Sequence, residues 1–173
     1  MNEIIKKEIA TSMQSFSLPR YNELPTVGFF LEQTVEYINQ ALSPLHGIQI
    51  TSSMIRNYVK QGLISNPVKK KYNTDQIAYL IAITILKQVI PLEDLSRLFS
   101  QQQKTYKSEI AYNYFCDELE NVLFYHLGIK EKLDTVGFTS SLEKDILRSA
   151  IIAVSNIIYI HNCFAYLNIS VDK

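Results

Sequence analysis

Four polar residues between positions 53 and 60 have the spacing and the side chains of a surface that reads nucleic acid. The four are Ser53, Arg56, Asn57 and Lys60. They are spaced at i, i+3, i+4 and i+7, so on an α-helix they share one face. Arginine can donate two hydrogen bonds to guanine, asparagine can pair with adenine, and lysine and serine bind phosphate. The pattern predicts a helix that contacts DNA at both base edges and phosphates.

A run of three lysines, Lys69, Lys70 and Lys71, follows this segment closely. The window 46–74 contains five basic and no acidic residues, although the whole chain is neutral with 17 of each sign. A local excess of this kind attracts a polyanion even when the net charge is zero. A lysine run alone is typical of a solvated loop, but beside an acid-free helix face it favours nucleic-acid binding.

Other chemistry is not indicated by the sequence. His46, His126 and His161 fall in separate elements, and the motifs HExxH, GxSxG and a Gly-rich phosphate loop do not occur. His161 and Cys163 point to different sides of a helix and make a poor metal pair. The acidic residues in 117–120 are typical of a solvated helix face. We therefore expect a protein that is not an enzyme and that holds no metal and no cofactor.

The predicted reading helix needs partners that hold it in place. Apolar residues recur every three or four positions from Val27 to Leu42, which predicts an amphipathic helix. Pro44 and Gly47 end this helix and open a turn. A short helix with its N-cap at Thr51 or Ser52 then runs to about Gln61, and the lysine run follows in a compact loop.

Helices are also predicted for the rest of the chain. A capping box from Asn73 to Gln76 precedes the almost wholly apolar stretch 77–86, which predicts a buried helix. Pro91 starts a short helix to about Phe99, and the polar stretch 100–105 is the expected domain boundary. One helix follows and stops at Gly128. The last helix begins at Thr139 or Ser140, with Glu143 completing a capping box, and reaches Ile169.

This last helix is longer than its own segment can cover, so we expect it to form a symmetric homodimer. The expected interface residues are Ile151, Val154, Ile158 and Phe164. Residues 149–171 carry no formal charge and are numerous enough to span a bilayer. Polar residues such as Ser155, Asn156 and Asn162 nevertheless line one side of the helix, which favours packing in protein over a membrane span.

The C-terminal part contains four tyrosines whose role the sequence leaves open. Tyr106, Tyr112, Tyr114 and Tyr125 are equally consistent with the lining of a small-molecule effector pocket and with ordinary packing. The two cysteines are far apart, and the N-terminus lacks a long apolar segment. These features indicate a reduced, cytoplasmic protein without a membrane segment.

Residues 27–99 resemble the DNA-binding domain of MerR-type transcriptional regulators. The resemblance rests on Ile55-Arg56-Asn57-Tyr58, Gly62-Leu63-Ile64, Lys70-Lys71-Tyr72 and Pro91-Leu92-Glu93-Asp94-Leu95. It implies that Arg56 and Tyr58 contact DNA from a recognition helix and that Lys70 stands for the arginine of the wing. Asn57 replaces a tyrosine of the family, and the connection between the first two helices is longer than usual. Tyr58 is equally consistent with a core aromatic whose hydroxyl reaches the surface.

The whole chain also resembles the bacterial family called domain of unknown function 1836. This resemblance rests on Leu18-Pro19-Arg20-Tyr21-Asn22-Glu23-Leu24-Pro25 and Asn66-Pro67-Val68-Lys69-Lys70-Lys71-Tyr72. The family name implies no activity, so an expectation about function has to come from the predicted helix and wing.

These observations together predict an all-α protein with a small wing. Residues 1–20 form an N-terminal helix or arm, residues 21–104 a MerR-like winged helix-turn-helix domain, and residues 105–173 a helical dimerisation or sensing domain. The expected function is a sequence-specific transcriptional regulator that binds double-stranded DNA as a homodimer. The alternative is a protein-interaction module that retains the winged-helix shape and binds an acidic partner through its basic face.

Overall fold

Helices form most of the computed structural model, which describes residues 2–137 and 139–171. The helices are α1 (Asn2–Met13), α2 (Leu31–Leu42), α3 (Ser52–Lys60), α4 (Thr74–Leu86), α5 (Leu92–Thr105), α6 (Ser108–His126) and α7 (Leu142–Val171). A single 3-10 turn covers Tyr21–Glu23. Two short strands, β1 (Phe29–Phe30) and β2 (Lys71–Tyr72), pair antiparallel. The predicted all-α class with one small sheet is confirmed at this level.

Helix α4 lies at the centre of the molecule. It is apolar on nearly every side, and most of its residues, including Ile77, Ile81 and Ile85, are fully buried. Helices α2, α6 and α7 all pack against it. One continuous hydrophobic cluster therefore runs from α1 to α7. The two predicted domains share this core through α4.

The polar stretch 100–105 is helical in the structure and forms the last turns of α5. Our expectation that the helix ends near Phe99 is wrong, because the stretch contains no Gly or Pro and its glutamines favour a helix. Gln102 accepts a hydrogen bond from the Tyr79 hydroxyl at 2.9 Å and donates one to the Tyr106 carbonyl at 3.0 Å. These bonds tie the end of α5 to α4 and to the start of the C-terminal segment.

Helix α2 begins at Leu31 and not at Val27 as predicted. Phe29 and Phe30 are extended because they pair with Tyr72 and Lys71 of β2. The Phe30 amide donates to the Gln33 side chain at 3.0 Å, and the Phe30 carbonyl accepts from the Thr34 hydroxyl at 3.0 Å. Strand pairing with residues 43 and 41 positions away thus replaces the first helical turn.

Two of the predicted helix caps are confirmed. The Thr51 hydroxyl accepts from the Met54 amide at 3.2 Å, and Asn73 and Gln76 form the reciprocal capping box at 2.9 Å and 2.8 Å. At α7 the cap is Ser141, whose hydroxyl accepts from the Lys144 amide at 3.3 Å. The prediction of Thr139 or Ser140 is therefore one or two residues too early.

The N-terminal segment packs on the C-terminal helices. Ile9, Met13 and Leu18 are buried, and α1 contacts α7. The Arg20 guanidinium donates to both carboxylate oxygens of Glu120 at 2.8 Å and 2.7 Å and forms an ion pair with Asp117 at 2.9 Å. The first 20 residues are thus a structural part of the helical core.

Of the acidic residues in 117–120, Asp117 is exposed as the sequence suggested, whereas Glu118 is buried and Glu120 is half-buried. Glu120 binds the N-terminal segment, because its carboxylate accepts a hydrogen bond from the Leu18 amide at 2.9 Å. Glu118 has an exposure of 0% and lies 3.1 Å from the Arg148 guanidinium of α7. Both carboxylates have structural partners because α6 is enclosed by α4, α7 and the segment after α1.

Helix α7 places its predicted interface residues on two different sides. Ile151, Val154 and Ile158 have 0% exposure within the single chain, so the expectation that a second chain covers them is wrong. They are covered by this chain's own helices, because α1, α4 and α6 all pack on α7. Phe164 is 61% exposed and stays available to a second chain.

The length and composition of α7 over Leu142–Leu167 are those of a helix that could cross a membrane. Of an apolar 18-residue part of that stretch, a third is buried inside the protein. Its buried side includes Ser155 and Asn162, whose side chains donate to the carbonyls of Ile151 and Ile158. The predicted polar stripe therefore does not lie on one side of the helix, since Ser155 and Asn162 are buried and Asn156 is exposed.

Candidate nucleic-acid interface

Helix α3 presents the four predicted polar residues to solvent. Ser53, Arg56, Asn57 and Lys60 are all exposed. The opposite side of the helix is anchored by Ile55, which is fully buried, and α3 packs on α2. The i, i+3, i+4, i+7 spacing therefore produces one continuous polar face.

Tyr58 lies on the other side of α3. Its exposure is 2%, and the Lys87 ammonium lies 6.0 Å from the centre of its ring. Burial raises the pKa of Tyr58 and lowers that of Lys87, which also donates to the Met54 sulfur at 3.1 Å. Of the two roles left open for Tyr58, its burial supports the core aromatic.

The connection between α2 and α3 is held by a residue that sequence reasoning missed. Asn39 of α2 donates to the Ile50 carbonyl at 2.9 Å and accepts from the Ile50 amide at 2.8 Å. The Ser52 hydroxyl also donates to the Glu32 carboxylate at 2.9 Å. These bonds fix the start of α3 relative to α2. An asparagine on a helix surface has no sequence signal that would reveal a partner 11 residues away.

The end of α3 turns the chain toward the lysine run. Gly62 has a φ of +74°, and the amides of Leu63 and Ile64 donate to the Tyr58 carbonyl at 2.9 Å and 3.3 Å. This arrangement satisfies a carbonyl at the helix end, and it needs a residue that tolerates a positive φ. Gly62 is such a residue, since glycine adopts a positive φ without steric cost.

The lysine run forms a tight hairpin with a two-residue tip. Val68 and Lys71 exchange two backbone hydrogen bonds at 3.1 Å and 2.9 Å. Lys69 and Lys70 lie between them with φ values of 50° and 65°. Positive φ at both central residues is typical of a type I′ turn, which normally contains Asn-Gly or Gly-Gly. The tip therefore holds two exposed lysines in conformations that lysine disfavours.

The third lysine of the run has a different environment. Lys71 is half-buried in β2, and its ammonium lies 5.0 Å from the centre of the Phe30 ring. Tyr72 next to it is buried, and the nearby charge of Arg56 partly offsets the rise in the Tyr72 pKa that burial causes. The charge of Arg56 in α3 therefore acts on Tyr72, the residue that follows the third lysine in β2.

We call the polar face of α3 together with the hairpin lysines the basic surface. Its residues are Ser53, Arg56, Asn57, Lys60, Lys69, Lys70 and Lys71. Throughout residues 2–137 and 139–171, the ion pairs of the protein involve none of these five cations. Their charges are therefore available to a polyanion.

The other candidate groups have structural roles. The Nδ1 atom of His161 in α7 lies 2.8 Å from the His46 carbonyl in the connection between α2 and α3. Cys116 is buried and Cys163 half-buried, and both are free thiols. In the part of the chain that the structure describes, no three His, Cys, Asp or Glu side chains form a group that could hold a metal.

Comparison with known proteins gives one match. Residues 19–115 match the family described as domain of unknown function 1836. This range contains the segment after α1, all of the basic surface, and the first part of α6. No curated protein and no solved structure is significantly similar to the chain.

Proposed function

Since the chain belongs to the family described as domain of unknown function 1836, which implies no activity, we propose a function from the chemistry of the basic surface. The protein is a sequence-specific transcriptional regulator that binds double-stranded DNA. The observation that carries this proposal is that Arg56, Asn57 and Lys60 form one exposed face of α3 and that, among residues 2–137 and 139–171, the cations of this face and the hairpin lysines take part in none of the ion pairs. These side chains can serve both phosphate contact and base recognition.

The order of the elements supports a winged helix-turn-helix similar to that of MerR-type regulators. Helix α3 contains nine residues and is about 13 Å long, a size that enters the major groove. The hairpin that follows has the position of a wing, which contacts the neighbouring phosphate backbone in such domains. In this arrangement Arg56 and Asn57 read bases, whereas Ser53, Lys60 and the hairpin lysines bind phosphates.

The proposed regulator binds as a homodimer. A single short helix reads few base pairs, so a second copy is needed for a site of useful length. The exposed side of α7 offers a surface for that copy. Its large apolar residues are Ile146, Ile152, Ile160, Phe164 and Leu167. Of the interface residues predicted from the sequence, the proposed dimer surface keeps Phe164. It excludes Ile151, Val154 and Ile158, which are buried.

A second candidate function has one observation in its favour. Val27, Phe30 and Val68 are exposed beside the hairpin lysines. An apolar and basic surface also fits an acidic protein segment with a few apolar side chains. On this alternative the protein is an interaction module and discriminates between protein partners, not between DNA sequences.

Selection of binding sites from random duplexes with the full-length protein tests the proposal. We expect enrichment of one sequence, and we expect Arg56→Ala and Asn57→Ala to weaken binding to it by about 1–3 kcal/mol each. Arg97→Ala is the matched control, because Arg97 is an exposed arginine that pairs with Glu93 and Asp94 on α5. This control should leave binding unchanged.

Two outcomes would contradict the proposal. If selection enriches no sequence, or if both variants retain the preference for the selected site over random DNA, α3 does not read bases. Salt titration adds a separate measure, because phosphate contacts make the affinity fall as the salt concentration rises. Binding that favours an acidic peptide over every duplex at the same salt concentration would favour the interaction module.

A further inference from the structure

A cavity of about 170 Å³ lies between α4, α5, α6 and the first turns of α7. Its walls are mainly apolar and aromatic, and they include Ala78, Ala82, Phe99, Ala111, Phe115 and Leu147. Three of the four tyrosines whose role the sequence left open, Tyr106, Tyr112 and Tyr114, also line it. Tyr125 is not among the lining residues.

Small residues on two helices leave room for the cavity. Helix α4 contains several isoleucines and leucines, but it lines the cavity with Ala78 and Ala82, and α6 lines it with Ala111. Protein cores contain few voids larger than a water molecule. An apolar cavity of about 150 Å³ in another protein stays dry and binds benzene. The space in this chain therefore suits an apolar body of about one ring.

One positive charge lies at the edge of the cavity. Lys144 lines it, and its ammonium lies 5.0 Å from the ring centre of Tyr114 and 5.8 Å from that of Tyr106. Lys144 donates to the carbonyl and hydroxyl of Thr139 at 3.0 Å and 2.7 Å. The ion pairs of the described residues do not include Lys144. An ammonium has three donors, so one remains for a ligand.

Glu143 also lines the cavity. Its carboxylate opposes the accumulation of negative charge next to Lys144, so a ligand with two negative charges is disfavoured. The remaining donor of the Lys144 ammonium matches one carboxylate, and the aromatic and alanine walls match an uncharged ring.

We propose that this cavity binds a small aromatic monocarboxylate. The ring lies between α4 and α6, and the carboxylate accepts a hydrogen bond from Lys144. The proposal goes beyond the DNA-binding function and does not depend on it, because none of the cavity residues belongs to the basic surface. A ligand that binds only the folded chain raises its stability with concentration, so binding is measurable without DNA.

The experiment uses the full-length protein with benzoate, phenylacetate, toluene and benzylamine as probes. Thermal unfolding and titration calorimetry should show saturable binding of benzoate or phenylacetate, weaker binding of toluene, and no binding of benzylamine. Lys144→Met should weaken carboxylate binding at least tenfold and leave toluene binding unchanged. Lys132→Met is the matched control, because Lys132 is exposed and is not a lining residue.

Ala82→Leu and Ala111→Leu fill the cavity from opposite sides and should abolish the binding of all probes. If Ala82→Leu fails to fold, Ala111→Leu on the half-exposed side of α6 gives the answer. The proposal is overturned if neither carboxylate binds saturably, if benzoate binds the alanine variants as tightly as the wild type, or if Lys144→Met leaves its affinity unchanged.

Discussion

Lys69 and Lys70 show how a residue-level conflict can indicate function. Both adopt a positive φ at a hairpin tip where asparagine and glycine are the favourable residues. The left-handed conformation costs about 1–2 kcal/mol for a residue with a side chain such as lysine. Strained residues persist when the surrounding structure holds them in place, and they cluster at functional sites. The proposed phosphate contacts explain why lysines occupy these two strained positions.

Replacing the tip by its most favourable sequence should separate stability from DNA binding. Lys69→Asn combined with Lys70→Gly relieves two strained residues at about 1–2 kcal/mol each, and the entropic cost of glycine offsets about 0.5–1 kcal/mol of this gain. The free energy of unfolding should therefore rise in urea denaturation. The same variant should bind every duplex more weakly and show a smaller salt dependence, because phosphate contacts do not read sequence.

The matched control is Lys69→Gln combined with Lys70→Gln, which removes the charges and keeps the backbone strain. Its free energy of unfolding should stay close to that of the wild type, and its DNA affinity should fall as in the first variant. A salt dependence equal to that of the wild type in both variants would show that the tip lysines are only solvated.

Glu118 provides a second prediction at the residue scale. Burial raises the pKa of its carboxyl group above the ordinary value of 4.5, and Arg148 partly offsets the rise. The folded state thus binds this proton more tightly than the unfolded state does. The contribution of Glu118 to stability is therefore fully present below pH 4.5 and is lost as the pH rises through the folded-state pKa.

Glu118→Gln removes this titration. The stability of the wild type relative to the variant should fall as the pH rises above 4.5, as measured by urea denaturation at a series of pH values. Glu131→Gln changes an exposed carboxylate and should leave the pH profile of the wild type unaltered. Parallel profiles for the wild type and Glu118→Gln would contradict a raised pKa at Glu118.

The residue scale also shows what a sequence can and cannot predict. The exposure of Ser53, Arg56, Asn57 and Lys60 was predictable because it depends on the local helical period. The burial of Glu118 was not, because it requires α7 to bring Arg148 against α6, and no local pattern encodes that contact. The cavity beside Lys144 likewise arises only when four helices meet.

At the scale of elements, the helices were predicted best where a cap is local. Thr51, Asn73 and Gln76 make their bonds within three residues, so their sequence spacing was sufficient. The start of α2 was missed because β1 pairs with β2 from beyond α3. Pairing between distant strands leaves no periodic signal in a two-residue segment.

Gly47 connects two elements that the sequence places far apart. It has a φ of +77°, and a Cβ atom there would lie 2.7 Å from the Nδ1 atom of His161 in α7. Gly47→Ala should therefore lower the free energy of unfolding through both backbone strain and this clash. Gly62→Ala has a similar φ of +74° with no atom within 4 Å, so it should cost only the strain, about 1 kcal/mol.

Thermal or urea unfolding of the two alanine variants measures the difference. In the His161→Ala background the clash is removed. There Gly47→Ala should lower the free energy of unfolding only as much as Gly62→Ala does in the wild type. An equal cost for Gly47→Ala in the presence and absence of His161 would show that α7 does not contact this connection in solution.

At the scale of the molecule, α7 has apolar side chains on both its covered and its exposed sides. Sequence periodicity identified the apolar residues but not the side that α1, α4 and α6 would cover. That choice depends on how the whole chain packs. The expected dimer surface was consequently placed on Ile151, Val154 and Ile158, which the chain buries itself.

Charge substitutions on the two sides should have different effects. Phe164→Glu and Ile160→Glu place a carboxylate on the exposed side. We expect these variants to sediment as a folded monomer of 19.9 kDa and the wild type to sediment as the proposed dimer. Ile158→Glu places an unpaired charge in the core and should lower the free energy of unfolding by several kcal/mol. A wild-type monomer at micromolar concentration would contradict the dimer.

The docking of α1 on α7 has a consequence for how the protein is made. The end of α1 and the start of α7 are separated by about 130 residues, and a ribosome adds roughly 5–20 residues each second. The apolar side chains of Ile9 and Met13 must therefore wait on the order of ten seconds before their covering helix exists. During that interval the nascent chain carries an exposed amphipathic segment, which is a natural substrate for a ribosome-associated chaperone.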